Sequence, residues 1–427
     1  MNTRTLSEWL AWIEGVYPRT MELGLERVHA VLEQMDLRRP GFCAVTVAGT
    51  NGKGSTVAML EACLRAAGYK VGAYTSPHLV RYNERVRLDG RAATDAELCD
   101  AFARVEAARG ETPLTYFEFG TLAAFDLFRA AGTEVAALEV GLGGRLDAVN
   151  GIDADAAIVT SIGIDHTSWL GPDRESIGRE KAGVFRAGRP AICGDPAPPA
   201  SIAATAAAVG ADLLLLDRDF FIERGRDGWT WRHGSRVRAG LPYPALRGDY
   251  QLRNAACAVT ALELLSGRFP LSQAHIRAGL LNAAIAGRFQ VLPGAPVRVL
   301  DVAHNPDAVR ALAATLRQQP AGGKTLAVFG MLKDKDIAAS ARAMEGVVDR
   351  WYVATLHTPR GATADEIAAA LARAGVTAPV LAHADVIGAY DAACRDADAR
   401  DRVVVFGSFH TVGDILSSLG RGTVHGG

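Results

Sequence analysis

Short apolar runs alternate along the first half of the chain with segments whose apolar residues recur every three or four positions. The apolar runs predict buried strands, and the longer periodic segments predict amphipathic helices. Strands are predicted at 43–48 (CAVTVA), 70–76 (KVGAYTS), 133–141 (TEVAALEVG) and 155–163 (DAAIVTSIG). Helices are predicted at about 54–67 and at 95–109, where Thr94 and Glu97 form a capping-box pattern. This alternation predicts a mainly parallel sheet with helices on both faces.

The pattern changes at about 217–248, where polar and apolar residues alternate and Asp227-Gly228 is a tight hairpin signal. We therefore predict a small antiparallel β excursion, followed by helices at roughly 249–266 and 272–284. A second strand–helix series begins near residue 296. Its strands are predicted at 296–303, 324–332, 351–356 and 402–408, and its first helix at 305–318, with Asn305 as N-cap and Pro306 in the first turn.

Composition excludes several classes of protein. The chain has 427 residues, with 46 Lys and Arg against 47 Asp and Glu, a formal net charge of −1. A near-neutral chain does not have the basic footprint of a dedicated nucleic-acid binder. No stretch approaches 18 uncharged apolar residues, so no membrane span is expected, and Glu8 and Glu14 interrupt any signal-peptide core. Six scattered cysteines without a CxxC pair suit a reduced cytoplasm.

The strongest chemical signal is the segment GTNGKGS at 49–55, which lies between a predicted strand and a predicted helix. We call residues 49–55 the phosphate loop. A glycine-rich turn that enters a helix directs several backbone N–H groups at one point, and a lysine and a hydroxyl add further phosphate contacts. We predict phosphate binding by Gly52, Lys53, Gly54 and Ser55. The strict P-loop pattern fails, because position 47 is Val and Gly54 separates Lys53 from Ser55. The alternative is an ordinary glycine-rich turn with a surface lysine.

We place the domain boundary near residue 295, because Pro293-Gly294-Ala295-Pro296 is the best linker candidate. Residues 1–295 are predicted to form a P-loop ATPase-type α/β domain that includes the antiparallel excursion. Residues 296–427 are predicted to form a smaller, Rossmann-like α/β domain.

Further motifs occur along the chain in a fixed order. They are Thr75-Ser76-Pro77-His78-Leu79 with Tyr82, Glu84 and Arg85, then LEVGLGGRLDAVN (138–150), IGIDHTSWLG (162–171), REKAGVFR (179–186), GRFQ (287–290) and DVAHNPDA (301–308). Together with the phosphate loop, this ordered set resembles the bacterial dihydrofolate synthase/folylpolyglutamate synthase family of the Mur ligase superfamily.

The resemblance implies an ATP-dependent amide ligase of folate biosynthesis and one-carbon metabolism. Such an enzyme adds L-glutamate to dihydropteroate and to reduced folates through an acyl phosphate. The alternatives are dihydrofolate synthase activity alone, a Mur-type peptidoglycan ligase, or a nucleotide-dependent switch or motor. Mur ligases usually carry a further N-terminal domain, and only 42 residues precede the first predicted strand here. A cytoplasmic monomer without nucleic-acid or membrane partners is expected.

The resemblance also implies roles for individual residues. Mg²⁺ is expected at Ser76, Glu139 and His166, with two ions in all, and the histidine makes Mn²⁺ conceivable. A monovalent cation such as K⁺ is a further option. Lys53, His304 and Lys181 are the candidate catalytic residues, and Lys181 matches a lysine that the family carbamylates. ATP contacts are implied for Asn254, Arg288 and Asp301.

The pterin substrate is implied to bind at three segments. Aromatic rings suit stacking on a flat pterin. For most of the aromatic side chains in these segments, however, the simpler interpretation is that they pack in the core along one face of a helix. The implied substrate residues are Glu22, Leu23, Gly24, Leu25, Thr115, Tyr116, Phe117, Glu118, Leu146, Asp147 and Ala148.

Overall fold

The computed structural model describes residues 4–17 and 22–422. Within that part, the chain forms two compact units. The first unit takes the described residues up to Pro77, together with Asn83–Ala245 and Gln251–Ala284. The second unit takes His78–Tyr82, Leu246–Tyr250 and the described residues from Ile285 onward.

The first unit is an α/β domain with an additional antiparallel sheet. Its helices are α1 (Leu6–Val16), α2 (Glu26–Gln34), α3 (Lys53–Ala66), α4 (Asp95–Arg109), α5 (Tyr116–Ala130), α6 (Thr167–Leu170), α7 (Arg174–Ala182), α8 (Ala200–Val209), most of α9 (Asp249–Leu264), and α10 (Gln273–Asn282). Its strands are β1 (Cys43–Ala48), β2 (Val71–Tyr74), β3 (Val86–Leu88), β4 (Arg91–Ala92), β5 (Val135–Glu139), β6 (Ala156–Val159), β7 (Pro190–Cys193), β8 (Asp212–Leu215), β9 (Phe220–Arg224), β10 (Trp229–His233) and β11 (Arg236–Leu241).

The main sheet of this unit has the order β4-β3-β2-β5-β1-β6-β7-β8 among the described strands. From β2 to β8 all neighbours are parallel, and β3 and β4 add an antiparallel edge. Every residue of β1 is buried, as expected for a strand covered on both faces. Because parallel strands end at the same edge, the segments that follow β2, β5, β1 and β6 lie side by side there.

The local predictions for this unit are largely confirmed. The strand at 43–48 has the predicted bounds, and helix 95–109 begins with the capping box of Thr94 and Glu97. The antiparallel excursion is the sheet β11-β10-β9, with Asp227-Gly228 in the turn between β9 and β10. The Trp231 indole N–H donates to Thr260 Oγ1 on α9 at 2.8 Å, which attaches this sheet to the helix.

The second unit contains β12 (Gln290–Leu292), β13 (Val297–Leu300), α11 (Pro306–Gln318), β14 (Thr325–Phe329), α12 (Ile337–Ala343), β15 (Arg350–Ala354), α13 (Ala364–Arg373), β16 (Val380–His383), α14 (Val386–Asp396), β17 (Arg402–Phe406) and α15 (Phe409–Gly422). Its strands form one sheet in the order β12-β13-β17-β14-β15-β16, parallel except for β12. Successive residues of β14 pack into cores on opposite faces of the sheet.

The predicted linker at 293–296 is wrong. Gln290 and Leu300 are paired across these residues, because β12 and β13 form an antiparallel hairpin within one sheet. The proline-rich segment is therefore the hairpin turn, and the second unit already begins at Ile285. Local composition identified a turn here, but it could not distinguish a hairpin turn from a connection between domains.

Among the described residues, no helix has both the length and the apolar character that crossing a bilayer requires.

Candidate functional site

The phosphate loop connects β1 to the N-terminus of α3. Lys53 is the first residue of that helix, and its Nζ donates to the carbonyls of Gly49 at 3.0 Å and Thr50 at 3.3 Å. Gly52, the N-cap, has φ +94°, a conformation that strongly favours glycine. The loop therefore places a lysine and the amides of a 14-residue helix N-terminus around one point.

Close packing also requires glycine in this loop. A Cβ atom on Gly49 would collide with Thr160 Oγ1, and one on Gly52 would lie 2.5 Å from Asn254 Oδ1. Asn254 is itself held in place, since its Nδ2 donates to Gln251 Oε1 at 3.0 Å and Gln251 Nε2 donates to Ser55 Oγ at 3.1 Å. Two of the predicted nucleotide contacts, Ser55 and Asn254, are thus joined through a buried glutamine that the sequence did not single out.

The segment directly after β6 holds the backbone of the phosphate loop by hydrogen bonds. Thr50 N donates to Ser161 O at 2.8 Å, and Asn51 N donates to Ser161 Oγ at 3.1 Å. Thr160 Oγ1 in turn donates to Asn51 O at 2.7 Å. The backbone of the loop is therefore fixed by polar side chains of a neighbouring strand end. The sequence feature that could have indicated these contacts is a pair of hydroxyl residues, Thr160 and Ser161, directly after a buried apolar run.

The three predicted metal ligands lie at or beyond the carboxyl ends of strands β2, β5 and β6 of the same sheet. Glu139 is the last residue of β5 and is 4% exposed, and its Oε2 accepts a 3.2 Å hydrogen bond from Ser76 N, two residues after β2. The residues that the structure describes contain no group of three or more His, Cys, Asp and Glu side chains able to hold a metal. The predicted set has only two such side chains, with a serine hydroxyl as its third donor.

The strand predicted at 155–163 is shorter in the structure, and His166 lies beyond its end. β6 stops at Val159, and His166 lies seven residues later as the N-cap of the short helix α6. It adopts φ +53°, and its backbone N–H donates to Asp165 Oδ1 at 2.8 Å. The apolar pattern of DAAIVTSIG continues beyond the strand because Ile162 is also buried.

Lys181 lies near the C-terminus of α7 and is only 4% exposed. Burial, together with the positive charge of Lys53, lowers the pKa of Lys181 to about 7. The nearby carboxylates of Asp165 and Asp147 oppose this shift. Lys181 is therefore a buried lysine and not one on the helix surface, and two lysines face the same region of the first unit.

A cavity of about 240 Å³ opens within the first unit. It brings together residues from several separate segments of the chain. The predicted residues that line it are Glu22, Leu23, Ser76, Thr115, Phe117, Glu118, Leu146, Asp147, Ala148 and His166. Two of the three predicted metal ligands, Ser76 and His166, and most of the predicted pterin residues therefore line one cavity, whereas Glu139 is not among the lining residues.

Three predicted substrate residues, Gly24, Leu25 and Tyr116, are not among the lining residues. Leu25 is the N-cap of α2, and Tyr116 is the first residue of α5. The Tyr116 ring packs against the Arg85 guanidinium at 5.6 Å. Four lining residues were not predicted as substrate contacts, namely Pro77, Arg85, Gly141 and Leu142.

The carboxylates of the cavity are also part of the local structure. Asp147 accepts from Leu142 N at 2.8 Å and from Val149 N at 3.0 Å. Burial raises the pKa of Asp147 to about 6, while these backbone donors and the charge of Lys53 oppose the shift. Glu118 completes the capping box of Thr115 at the start of α5.

Arg27 links two further cavity residues. Its Nη2 lies 2.8 Å from Glu118 Oε1, and its Nη1 lies 3.0 Å from Glu22 Oε1. The segment that contains Glu22 is thereby fixed to the N-terminus of α5. These ion pairs give Glu22 and Glu118 a structural role beside any contact with a ligand.

The remaining predicted nucleotide residues lie in the second unit. Asp301 follows β13, and its carboxylate accepts from Phe289 N and Ala303 N, each at 2.8 Å. Burial raises the pKa of Asp301, and the charge of Arg288 opposes that shift. Arg288 lies 5.1 Å from the Phe409 ring, and the His304 ring lies 5.7 Å from the same ring. Arg288, Asp301 and His304 therefore form one local cluster.

Comparisons with known proteins match both units. Residues 47–193 match the family model described as the Mur ligase middle domain. Residues 287–409 match the model described as the Mur ligase, glutamate ligase domain.

Several relatives match nearly the whole chain. The dihydrofolate synthase/folylpolyglutamate synthase of Escherichia coli (strain K12) is 46% identical over 414 residues, covering 97% of this chain and 95% of its own. The structure of E. coli FolC in complex with DHPP and ADP has a TM-score of 0.94 at 45% identity and covers 99% of both chains. A bifunctional folylpolyglutamate synthase/dihydrofolate synthase with Mn, AMPPNP and L-glutamate bound has a TM-score of 0.90 at 50% identity and covers 98% of both.

Proposed function

Because the chain belongs to the dihydrofolate synthase/folylpolyglutamate synthase family of the Mur ligase superfamily, we propose that the phosphate loop holds ATP and that the cavity holds the pterin substrate. The protein is an ATP-dependent ligase that adds L-glutamate to dihydropteroate and to reduced folates. It uses ATP and a divalent metal ion. The observation that supports our assignment is the shared sheet edge, where Asp147 lines the cavity and also interacts with the charge of Lys53.

The ligase reaction requires the ATP site and the pterin site to lie close together. A carboxylate and an amine do not condense in water, so the pteroate or glutamyl carboxylate first attacks the γ-phosphorus of ATP and ADP leaves. The glutamate amine then attacks the acyl carbon, the carbon–oxygen bond to phosphate breaks, and phosphate leaves with its electron pair. The nitrogen loses a proton as the amide forms. Negative charge accumulates on the transferred phosphoryl group, so Lys53 and the amides of the phosphate loop stabilise it.

Ser76, Glu139 and His166 are the residues that we expect to hold the metal. The buried Glu139 carboxylate and the neighbouring serine supply the oxygen donors that Mg²⁺ prefers, and His166 lines the same cavity as Ser76. When bound, the ion would neutralise phosphate charge. The count of two ions, the choice between Mg²⁺ and Mn²⁺, and a requirement for K⁺ stay predictions.

Lys181 is proposed to be carbamylated. A buried ammonium beside Lys53 places two positive charges together in a poorly solvated region. Addition of the neutral amine to CO₂ with loss of a proton forms a carbamate, which replaces one cation by an anion. Incubation with ¹³C-bicarbonate should give a carbamate signal in the NMR spectrum that is missing in the Lys181→Met variant. Identical spectra for the two proteins would refute the modification.

The second unit is proposed to supply the glutamate site and the additional ATP contacts. The match of residues 287–409 to a glutamate ligase domain supports this assignment. Arg288 and Asp301 are the proposed ATP contacts, and His304 beside them is the proposed catalytic residue. We assign ATP and pterin binding to the domain of residues 1–295 and the glutamate-ligase role to the domain of residues 296–427, and these two assignments stay predictions.

The experiment is an assay of phosphate release with L-glutamate, ATP and Mg²⁺, in which product masses are measured. Dihydropteroate, tetrahydrofolate and a UDP-muramoyl acceptor are supplied in separate reactions. We expect a gain of one glutamyl unit on both pterins and none on the muramoyl acceptor. Gain on dihydropteroate alone would restrict the enzyme to dihydrofolate synthesis, and gain only on the muramoyl acceptor would refute the pterin assignment.

We propose that the enzyme acts in the cytoplasm as a monomer. Its six cysteines are free thiols, four of them buried, which suits a reducing compartment. Cell fractionation and analytical ultracentrifugation test the two parts of this proposal.

A further inference from the structure

An ion pair outside the cavity holds the segment that supports the phosphate loop. Asp195 is 4% exposed, and its Oδ2 accepts from Ile162 N at 2.7 Å. Arg174 Nε donates to Ile162 O at 2.8 Å, and Arg174 Nη2 lies 2.9 Å from Asp195 Oδ1. Both backbone polar groups of Ile162 are thus bound by one Arg–Asp pair.

The residues on either side of Ile162 bind the phosphate loop. Ser161 contacts the backbone of Thr50 and Asn51, as described above. Gly163 N donates to Thr50 Oγ1 at 3.0 Å, and Thr50 Oγ1 donates to Gly163 O at 3.2 Å. Residues 161–163 therefore connect the phosphate loop to the ion pair through hydrogen bonds. Movement of Ile162 would displace Thr50 and Asn51 directly.

The same ion pair fixes a second element of the site. Arg174 is the first residue of α7, and Lys181 lies seven residues later, two helical turns away on the same face. Arg174 Nη2 also donates to Ala197 O at 2.9 Å, and Ala197 N donates to Asp195 Oδ1 at 2.9 Å. The N-terminus of α7 is thereby attached to the segment after β7.

We propose that Arg174 and Asp195 are positioning residues for nucleotide binding. They hold Ile162, and through it the backbone of Thr50 and Asn51, in the geometry that receives the phosphates of ATP. This inference rests on the proposed function of the phosphate loop. Its consequence is that breaking the pair weakens nucleotide binding without touching any residue that contacts the nucleotide.

A purely structural ion pair would lower stability alone, and the chain offers a matched control. Arg104 and Asp126 join α4 to α5 with Nη2–Oδ2 at 2.7 Å and side-chain exposures of 48% and 4%. The corresponding exposures of Arg174 and Asp195 are 41% and 6%. The two pairs have equivalent burial, but the control pair joins helices that contain no residue of the phosphate loop.

The experiment compares Asp195→Asn with Asp126→Asn by calorimetric titration with AMPPNP and Mg²⁺, alongside thermal unfolding. Both variants are expected to lose stability to a similar degree. The Kd for AMPPNP is expected to rise about tenfold in Asp195→Asn, because small displacements of the groups in a preorganised site weaken binding strongly. It is expected to stay at the wild-type value in Asp126→Asn.

Arg174→Lys supplies the second variant. Lysine keeps the charge but has no planar fork to bind Ile162 O and Asp195 together. The same tenfold loss is therefore expected, which charge alone would not produce. If Asp195→Asn does not fold, Arg174→Lys and Arg104→Lys form the equivalent comparison.

The outcomes distinguish the two hypotheses. Wild-type AMPPNP affinity in both Asp195→Asn and Arg174→Lys, with wild type itself binding normally, would overturn the positioning role. An equal loss of affinity in the control variants would overturn it as well. Failure of the wild-type protein to bind AMPPNP would instead refute the proposed role of the phosphate loop.

Discussion

The phosphate loop and the cavity occupy the same unit, but they are built from different kinds of group. The loop is one continuous segment whose proposed binding groups are mainly backbone amides and one lysine, and it is held by residues of the adjacent strand end. The cavity is lined by residues from several separate segments. Several of those side chains already serve the fold, as Asp147 and Glu118 do by capping a turn and a helix.

This difference predicts different consequences of mutation. In the phosphate loop, an added methyl group changes backbone geometry and removes nucleotide binding selectively. In the cavity, a lost carboxylate also removes backbone hydrogen bonds, so binding and stability change together. The distinction can be tested by pairing each site variant with a control that has the same local structure elsewhere.

The largest effect is expected for Gly52→Ala. The new Cβ would lie 2.5 Å from Asn254 Oδ1, at a backbone φ of +94°. We expect kcat/KM for ATP to fall about 100-fold, because displacement of the loop disturbs the reacting geometry. The KM for dihydropteroate should stay at its wild-type value, as measured by steady-state kinetics.

Gly68→Ala is the control for that variant. Gly68 has φ +86°, but a Cβ there meets no atom within 4 Å. It should cost about 1–2 kcal/mol of stability through backbone strain and leave kcat/KM for ATP unchanged. A similar kinetic defect in both variants would mean that strain, and not the contact with Asn254, explains the loss.

An intermediate effect is expected for Gly141→Ala, which alters the cavity and not the phosphate loop. Its Cβ would lie 2.5 Å from the Phe117 ring, which lines the cavity and would have to move. We expect the KM for dihydropteroate to rise about tenfold, a typical cost of one misplaced group in an apolar site.

The control for Gly141→Ala is Gly267→Ala, where a Cβ meets no atom within 4 Å. It should leave the KM for dihydropteroate unchanged. An unaltered KM in Gly141→Ala would show that Phe117 does not contribute to the pterin site.

The smallest effect is expected for Thr115→Ala. Loss of the N-cap of α5 should cost about 1 kcal/mol of stability in denaturant unfolding, and the same loss is expected for Thr94→Ala at α4. The two capping boxes are alike, with hydroxyl–amide distances of 3.3 and 3.2 Å. Only Thr115→Ala should also raise the KM for dihydropteroate, about threefold, since Thr115 lines the cavity. Equal kinetic effects would contradict a special role for α5.

The same contrast explains what the sequence could predict. The phosphate loop is contiguous and local backbone rules apply to it, so its position between β1 and α3 followed from GTNGKGS. The lining residues Pro77 and Gly141 have no comparable local signal, because their place in the cavity depends on which strands are neighbours. The prediction of a linker between domains at 293–296 was wrong for the same reason, because proline and glycine content does not reveal that β12 pairs with β13.

The central claim is that one unit contains two separable binding sites, the phosphate loop for ATP and the cavity for the pterin. Its most direct test is calorimetric titration of the wild type, Gly52→Ala and Gly141→Ala with AMPPNP and Mg²⁺, and separately with dihydropteroate. We predict a crossed pattern, in which Gly52→Ala loses affinity only for AMPPNP and Gly141→Ala only for dihydropteroate. Loss of both ligands in each variant, or the reverse pattern, would contradict the account.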